Sequence, residues 1–193
     1  MSLRALIVAG GVFLAGAASA QDLPQGDPAE GRKLANMCRT CHGIDGFAKI
    51  PIAPHIGGEP AGYIAAQLTA FRSGARMHEM MSVVAASLSD RQIADVAAWY
   101  GAQQVSASVP AGADPAPAPC AACHGEDGIA VVEDAPNLAG ETNIYIDTQL
   151  KAFRGGKREH EVMSPIAAEL TDTEIRAFAD WYGAVELTIT SPE

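Results

Sequence analysis

The sequence predicts an all-α fold built from two tandem copies of one small domain. A shift of 82 residues places residues 38–101 on residues 120–183 with 33 of 64 positions identical and no gap, which indicates an internal repeat. Helix-start patterns recur at matching places in both copies, and no convincing alternating strand pattern is present. A unit of about 80 residues is small for a stable core, which favours a metal or cofactor as an added support.

The chain begins with the pattern of a secretory signal peptide. Arg4 supplies a short basic region, an apolar run follows, and an A-x-A cleavage site lies at residues 18–20. The apolar run is shorter than the roughly 20 residues that a membrane span requires. We therefore expect an exported protein that starts near Gln21, with an uncleaved membrane anchor as the alternative.

Helices are expected throughout the first copy. Asp27 is placed as an N-cap, with Pro28 at the first helical position and Glu30 two positions later. Residues 61–73 carry apolar side chains at helical spacing and are followed by Gly74. Both copies also contain a capping box that opens a last helix ending at a glycine. The boxes and final glycines are Ser89 with Gln92 and Gly101, and Thr171 with Glu174 and Gly183.

The run-up to the second copy differs from that of the first. Pro115, Pro117 and Pro119 occupy the place where the first copy has its opening helix, and proline breaks helices. The second copy is therefore expected to lack this helix and to be less covered on that side. The predicted organisation is a signal peptide at 1–20, a first domain at 21–104, a Pro/Ala-rich linker at 105–119 and a second domain at 120–193.

Two cysteines and a histidine recur in both copies as C-x-x-C-H. The residues are Cys38, Cys41 and His42 in the first copy, and Cys120, Cys123 and His124 in the second. Disulfides and zinc sites are the alternatives for four cysteines in an exported chain, but neither explains a histidine directly after each pair. C-x-x-C-H is the attachment motif of c-type haem. The thiols bond to the haem and the imidazole binds the iron, so the sequence predicts two covalently bound haem c groups.

A second axial ligand in each copy is predicted from the register of the repeat. Met81 and Met163 both lie 39 residues after the histidine of their copy. A thioether sulfur is a soft iron ligand that raises the reduction potential. Core methionines are the structural alternative, and Met80 is a rival only in the first copy, because its counterpart is a valine. His78 and His160 also repeat and would give a lower potential as ligands, but a position on the surface or beside a ligand is favoured for them.

Other repeated residues are expected close to the haems. Pro54 and Pro136 lie twelve residues after their histidines, so their carbonyl groups are candidates to accept the Nδ1–H of His42 and His124. Repeated tyrosines and arginines are candidates to bind haem propionates, with solvated helix ends as the alternative for the arginines. These residues are Tyr63, Tyr145, Arg72, Arg154, Arg76 and Arg158.

With these residues in place, the chain resembles diheme class I cytochromes c, in particular the cytochrome c4 family. The resemblance covers nearly all of the chain after the signal peptide. It rests on CRTCHG and CAACHG, on PHIGGEPAGYIAAQLTAFRSGAR and PNLAGETNIYIDTQLKAFRGGKR, on the two methionine segments and on the two WYG helices. It implies two tandem class I cytochrome c domains, each around one covalently bound haem, in the bacterial periplasm.

The resemblance also implies an electron carrier without substrate turnover, which passes single electrons between partners of a respiratory chain. The implied partners are a terminal oxidase, a bc-type complex or a flavoprotein dehydrogenase. One alternative is the electron-accepting subunit of a periplasmic dehydrogenase, such as a sulfide-oxidising flavocytochrome c. Another is a diheme peroxidase, which needs an iron with an open site, and the paired methionines argue against it.

Charge excludes some partners and favours others. Without the signal peptide the chain has 12 basic and 23 acidic residues, which argues against binding to nucleic acid or to an anionic membrane surface. Peripheral membrane association remains open. The acidity is uneven, with a net charge of −1 over residues 21–105 and −10 over residues 106–193. A basic redox partner is therefore expected to dock on the second domain.

Overall fold

A computed structural model describes residues 23–192, so the predicted signal peptide lies outside the described residues. The first copy contains α1 (Pro28–Leu34), a 3₁₀ turn (Ala35–Met37), α2 (Arg39–His42), α3 (Ala61–Ser73), α4 (Met81–Ala86), α5 (Asp90–Gly101) and strand β1 (Gln104–Ser108). The second contains α6 (Ala118–His124), α7 (Asn143–Arg154), α8 (Met163–Ala168), α9 (Asp172–Gly183) and strand β2 (Glu186–Thr190). No helix within residues 23–192 combines the length and apolarity needed to cross a membrane.

The predicted helix starts are present. The Asp27 carboxylate accepts hydrogen bonds from the first-turn N–H groups of α1, and both capping boxes are complete at the starts of α5 and α9. The final glycines do not act as left-handed caps, because the cap residues after them are helical alanines. Gly101 instead allows a close approach, since a Cβ there would lie 3.0 Å from Ala61.

The last helix of each copy carries the centre of its core. Ile93 and Tyr100 of α5 are fully buried, as are their counterparts Ile175 and Tyr182 of α9. In the first domain α3, α4 and α5 pack together around this core, and α7 and α9 form the smaller core of the second. The all-α prediction for the domains is confirmed, and the two cores follow the repeat.

The expected loss of the opening helix in the second copy is confirmed. In the first domain α1 packs so closely on α5 that a Cβ at Gly31 would lie 1.9 Å from the Asp95 carbonyl oxygen. In the second, no helix lies between Ser108 and Ala118 within the described residues. Extended chain covers part of α9 there, because the Trp181 indole donates a hydrogen bond of 2.8 Å to the carbonyl of Asp114.

The structure also contains two short strands, for which the sequence shows no convincing alternating pattern. β1 pairs with β2 in an antiparallel ribbon in which Val105 lies opposite Ile189. β1 occupies residues 104–108, so the predicted linker start at 105 falls inside a strand. Each strand is only five residues long and finds its partner 82 residues away, which no local pattern reveals. The ribbon joins the end of the first copy to the end of the second.

Candidate haem-binding sites

Each C-x-x-C-H motif lies within about one helical turn. The first consists of the N-cap Cys38 and all of α2, the second forms the last five residues of α6, and all four cysteines are half-buried and unpaired. Burial raises the pKa of Cys120 to about 11, so this thiol stays protonated at neutral pH. Because the cysteines are unpaired, residues 23–192 contain no disulfide. No cluster of metal-ligating side chains suited to zinc occurs among these residues either.

The two motif histidines are buried and oriented alike. The Nδ1 atom of His42 lies 2.9 Å from the Pro54 carbonyl oxygen, and that of His124 lies 2.8 Å from the Pro136 oxygen. Burial lowers the pKa of both imidazoles, and the carbonyl groups offset part of this effect. Each ring is therefore neutral with its proton on Nδ1, which leaves Nε2 free to bind a metal.

Met81 and Met163 occupy the first positions of α4 and α8 and are half-buried. Met81 packs against the core of its domain, whereas its neighbour Met80 is 62% exposed. The position in the repeat and the burial of the side chain therefore both favour Met81 over Met80 as the ligand.

His78 and His160 have a role that the sequence reasoning missed. The Nδ1 atom of His78 accepts hydrogen bonds from the backbone N–H groups at the start of α4, including that of Met81 at 3.3 Å. His160 makes the same contact to Met163 at 3.3 Å. Because Nδ1 is an acceptor in this arrangement, each ring caps a helix and fixes the backbone of the adjacent methionine. This favours the methionines over the histidines as axial ligands.

The predicted arginines fall into two groups. Arg72 donates to the Leu88 carbonyl at 3.0 Å and pairs with Asp90, and Arg154 repeats both contacts in the second domain with Leu170 and Asp172. These two arginines tie α3 to α5 and α7 to α9. Their guanidinium groups are thus engaged by protein groups at the helix ends.

Arg76 and Arg158 instead join the two domains. Arg76 donates hydrogen bonds to Gln67 of its own domain and to Tyr145 and Gln149 of the other. Arg158 repeats the pattern in reverse, and its partners are Gln149, Tyr63 and Gln67. The predicted tyrosines Tyr63 and Tyr145 are brought together in this network. Gln67 and Gln149 were missed, although both repeat in the sequence at helical positions facing the arginines.

A further buried pair, Glu59 and Glu141, was also missed. They are 4% and 2% exposed and occupy equivalent positions of the two copies. Glu59 accepts a hydrogen bond of 2.9 Å from the backbone N–H of Asn137. The Asn137 amide also donates to the Gly58 carbonyl at 3.0 Å, and its counterpart His55 donates from Nε2 to the Gly140 carbonyl at the same distance.

The donor set in each domain fits a covalently attached haem. Two free thiols and a neutral imidazole project from one turn, and the imidazole is oriented by a buried carbonyl group. A thioether lies at the start of a short helix of the same domain. Such a set provides two thioether tethers, one nitrogen ligand and one sulfur ligand to an iron.

Comparisons with known proteins agree with this geometry. A family model described as cytochrome c oxidase, cbb3-type, subunit III matches residues 107–181. A thiosulfate dehydrogenase electron acceptor from Stutzerimonas stutzeri strain A1501 is 34% identical, over 89% of this chain and 94% of its own length. A cytochrome c4 from Thiocapsa roseopersicina is 33% identical, over 81% of this chain and 91% of its own length.

Two solved structures share the architecture. Reduced cytochrome c4 from Pseudomonas stutzeri superimposes with a TM-score of 0.71 at 24% identity, over 83% of this chain and all of that one, which shows a common fold. A thiosulfate dehydrogenase from Marichromatium purpuratum superimposes with a TM-score of 0.69 at 31% identity, over 82% of this chain and 40% of that one.

Proposed function

The chain belongs to the cytochrome c4 family of diheme electron-transfer cytochromes, and we propose that it carries electrons one at a time between redox proteins of the bacterial periplasm. The main support for this proposal is the internal repeat. Each copy presents a complete C-x-x-C-H motif whose histidine is buried and held through Nδ1 by a proline carbonyl. When bound, each haem c supplies an iron that gains or loses a single electron.

The residues of the chain tether, orient and enclose each haem. Cys38, Cys41, Cys120 and Cys123 would form the tethers, and His42 and His124 would each bind an iron through Nε2. Met81 and Met163 would supply the sulfur ligands, and each is fixed at its backbone by the imidazole of the adjacent histidine cap. With a histidine and a methionine bound to each iron, no position would remain open for a substrate, which argues for electron transfer over peroxidase activity.

Denaturing mass spectrometry of the protein matured in a periplasm tests the attachment. The mass is expected to equal that of the polypeptide plus two haems, and that of the C120A/C123A variant one haem fewer. A wild-type mass with one haem or none would exclude the assignment.

Optical spectra test the methionines. The ferric protein is expected to show the weak near-infrared charge-transfer band of a methionine–iron bond. Met163→Ala should remove about half of the band and Met81→Ala the other half, whereas Met80→Ala should leave it intact. Retention of the full band in the M81A/M163A variant would show that other groups ligate the irons.

The comparisons favour one specific electron donor. A relative described as the electron acceptor of thiosulfate dehydrogenase covers most of the chain, and part of a thiosulfate dehydrogenase shares its structure. We therefore propose a sulfur-compound dehydrogenase of this kind as a donor, alongside the sulfide-oxidising flavoprotein that the sequence offered as one alternative.

Stopped-flow mixing discriminates between the two donors. The oxidised protein is mixed with thiosulfate and a thiosulfate dehydrogenase, and separately with sulfide and a flavocytochrome c flavoprotein subunit. Fast reduction only in the first mixture supports the proposal. Fast reduction only in the second supports the flavoprotein, and slow reduction in both supports a carrier that serves other partners.

A further inference from the structure

Glu59 and Glu141 are buried where the two domains meet, without the cationic partner that a buried carboxylate requires. Neither glutamate forms an ion pair within residues 23–192. The Oε2 atom of Glu141 is fully buried and has no hydrogen-bond partner among those residues. Burial of a charged carboxylate is costly, so such groups retain a proton.

The Glu59 carboxylate reaches the peptide group that orients the opposite histidine. The carbonyl of Pro136 lies 2.8 Å from Nδ1 of His124, and the N–H of the same peptide group, which belongs to Asn137, donates to Glu59. A negative charge on Glu59 would polarise this peptide group. The carbonyl oxygen would become a stronger acceptor, and the imidazole would become more basic toward the iron.

The repeat creates the reciprocal connection. Nδ1 of His42 lies 2.9 Å from the Pro54 carbonyl oxygen, and the next N–H, that of His55, faces the carboxyl group of Glu141. Glu59 is therefore connected by one peptide group to the motif histidine of the other domain, and Glu141 occupies the equivalent position relative to His42.

We propose that Glu59 and Glu141 form a proton-binding pair that couples electron arrival at the haems to proton uptake, acting on each histidine through the intervening peptide group. The inference rests on the proposed function, since it requires a redox-active iron at His42 and at His124. One electron enters the iron from the donor protein. One proton from water forms an O–H bond on a glutamate carboxylate, and both leave on oxidation.

The protonation of the pair supports this coupling. Burial raises the pKa of Glu59 to about 8, against the opposing effect of the Asn137 N–H. Burial, and then the charge of Glu59, hold the pKa of Glu141 well above its usual value. Glu59 is therefore the member that exchanges a proton near physiological pH.

The groups around the pair do not replace it as the proton site. They are His55, Tyr63, Tyr145, Arg76 and Arg158. His55 is held neutral, because Nδ1 accepts the Ala48 N–H at 2.9 Å while Nε2 donates to a carbonyl, and burial lowers its pKa. Burial raises the pKa of Tyr145, so this phenol also stays neutral.

Redox titrations of the holoprotein from about pH 5 to about pH 10 test the proposal. In the wild type, the midpoint potentials are expected to fall as pH rises through the range where Glu59 ionises. Glu59→Gln should remove most of this decline, and E59Q/E141Q should remove it entirely. The matched control is E79Q/E161Q, a repeat-related pair of exposed glutamates, which should leave the decline intact.

Infrared difference spectroscopy supplies an independent readout. The reduced-minus-oxidised spectrum of the wild type at about pH 8 should contain the carbonyl stretch of a protonated carboxyl group, shifted in D₂O and absent in E59Q/E141Q. An unchanged pH-dependent decline of the midpoint potentials in E59Q/E141Q would overturn the inference. A wild-type spectrum without this band would also overturn it, and that result does not depend on how well the variant folds. A protein that binds no haem or cannot be titrated would instead contradict the proposed function.

Discussion

Arg76 and Tyr145 join the two domains through a hydrogen bond of 3.3 Å between the guanidinium Nη2 and the phenolic oxygen. The equivalent residues of the repeat make the same contact in the opposite direction, since Arg158 donates a hydrogen bond of 3.2 Å to Tyr63. Each guanidinium also lies over a phenylalanine of its own domain, Arg76 at 4.5 Å from the Phe71 ring centre. The interface is thus pseudo-symmetric, and its polar network consists of the same residue types on both sides.

We expect Arg76→Ala and Arg158→Ala to destabilise the holoprotein by similar amounts, about 1–3 kcal/mol each, because each removes charge-assisted hydrogen bonds from partly buried partners. Urea unfolding measures the effect, with exposed Arg176→Ala as the control. A double-mutant cycle between Arg76 and Gln149, whose side chains lie 2.8 Å apart, should show coupling. Additive effects in that cycle would show that the network does not act across the interface.

The strand ribbon predicts a second stabilising contact between the copies. Ile189 of β2 lies opposite Val105 and contacts the backbone of the first domain, since a Cβ at Gly57 would lie 2.8 Å from its side chain. Ile189→Ala is expected to cost about 1–3 kcal/mol through lost apolar contact. Thr188→Ala, on the exposed face of the same strand, is the control. Equal unfolding midpoints for the two variants would argue that the ribbon contributes little.

Local signals in the sequence predicted the helices and the attachment motifs. The Asp27 cap, the two capping boxes and the limits of α3 depend on residues within one or two turns, and all are present in the structure. The repeat register likewise selected Met81 over the exposed Met80. These features need no knowledge of which segments meet in space.

Contacts between distant segments were not predictable in the same way. Glu59 resembles an ordinary surface residue before α3, but it is buried and accepts a hydrogen bond from Asn137 of the second domain. The partners of Arg76 in the other copy, Tyr145 and Gln149, lie 69 and 73 residues away, so no local pattern connects them with this arginine. The helix-capping role of His78 depends on the chain folding back at residues 78–82, which the sequence pattern does not indicate.

The raised carboxyl pKa values predict how stability depends on pH. Glu59 and Glu141 are protonated in the folded protein at pH values where an unfolded glutamate, with a pKa of about 4.3, is ionised. The amount that these two protonated groups add to the free energy of unfolding is therefore fully present below about pH 4. It declines as pH rises towards about 8, by about 1.4 kcal/mol per pH unit for each proton held only in the folded state.

Thermal unfolding of the oxidised holoprotein at intervals from pH 5 to pH 9 measures this decline. E59Q/E141Q, which keeps neutral side chains of the same shape at all pH values, is expected to flatten it. Exposed Glu30→Gln serves as the control and should retain the wild-type slope. An equal loss of stability with pH in E59Q/E141Q would assign the dependence to other groups.

The uneven charge predicts which domain receives a basic redox partner. The second half of the chain carries −10 and the first −1, and the second domain lacks the helix that covers α5 in the first. Acidic side chains that follow the second attachment motif are exposed, including Glu126, Glu133 and Asp134. Long-range attraction of a cationic partner is screened by salt over a distance of about 8–10 Å.

Charge reversal of these three residues to lysine is therefore expected to slow electron transfer with a cationic partner several-fold at low ionic strength and to flatten its salt dependence. Asp127 is left unchanged, because its carboxylate accepts the Ile129 N–H and shapes the loop. Reversal of Glu30 and Glu79 in the first domain, matched with reversal of Glu126 and Glu133 alone in the second, is the control. Stopped-flow kinetics over a range of salt concentrations compare the two sets. Similar slowing by both sets would mean that total charge, rather than its position on the second domain, governs association.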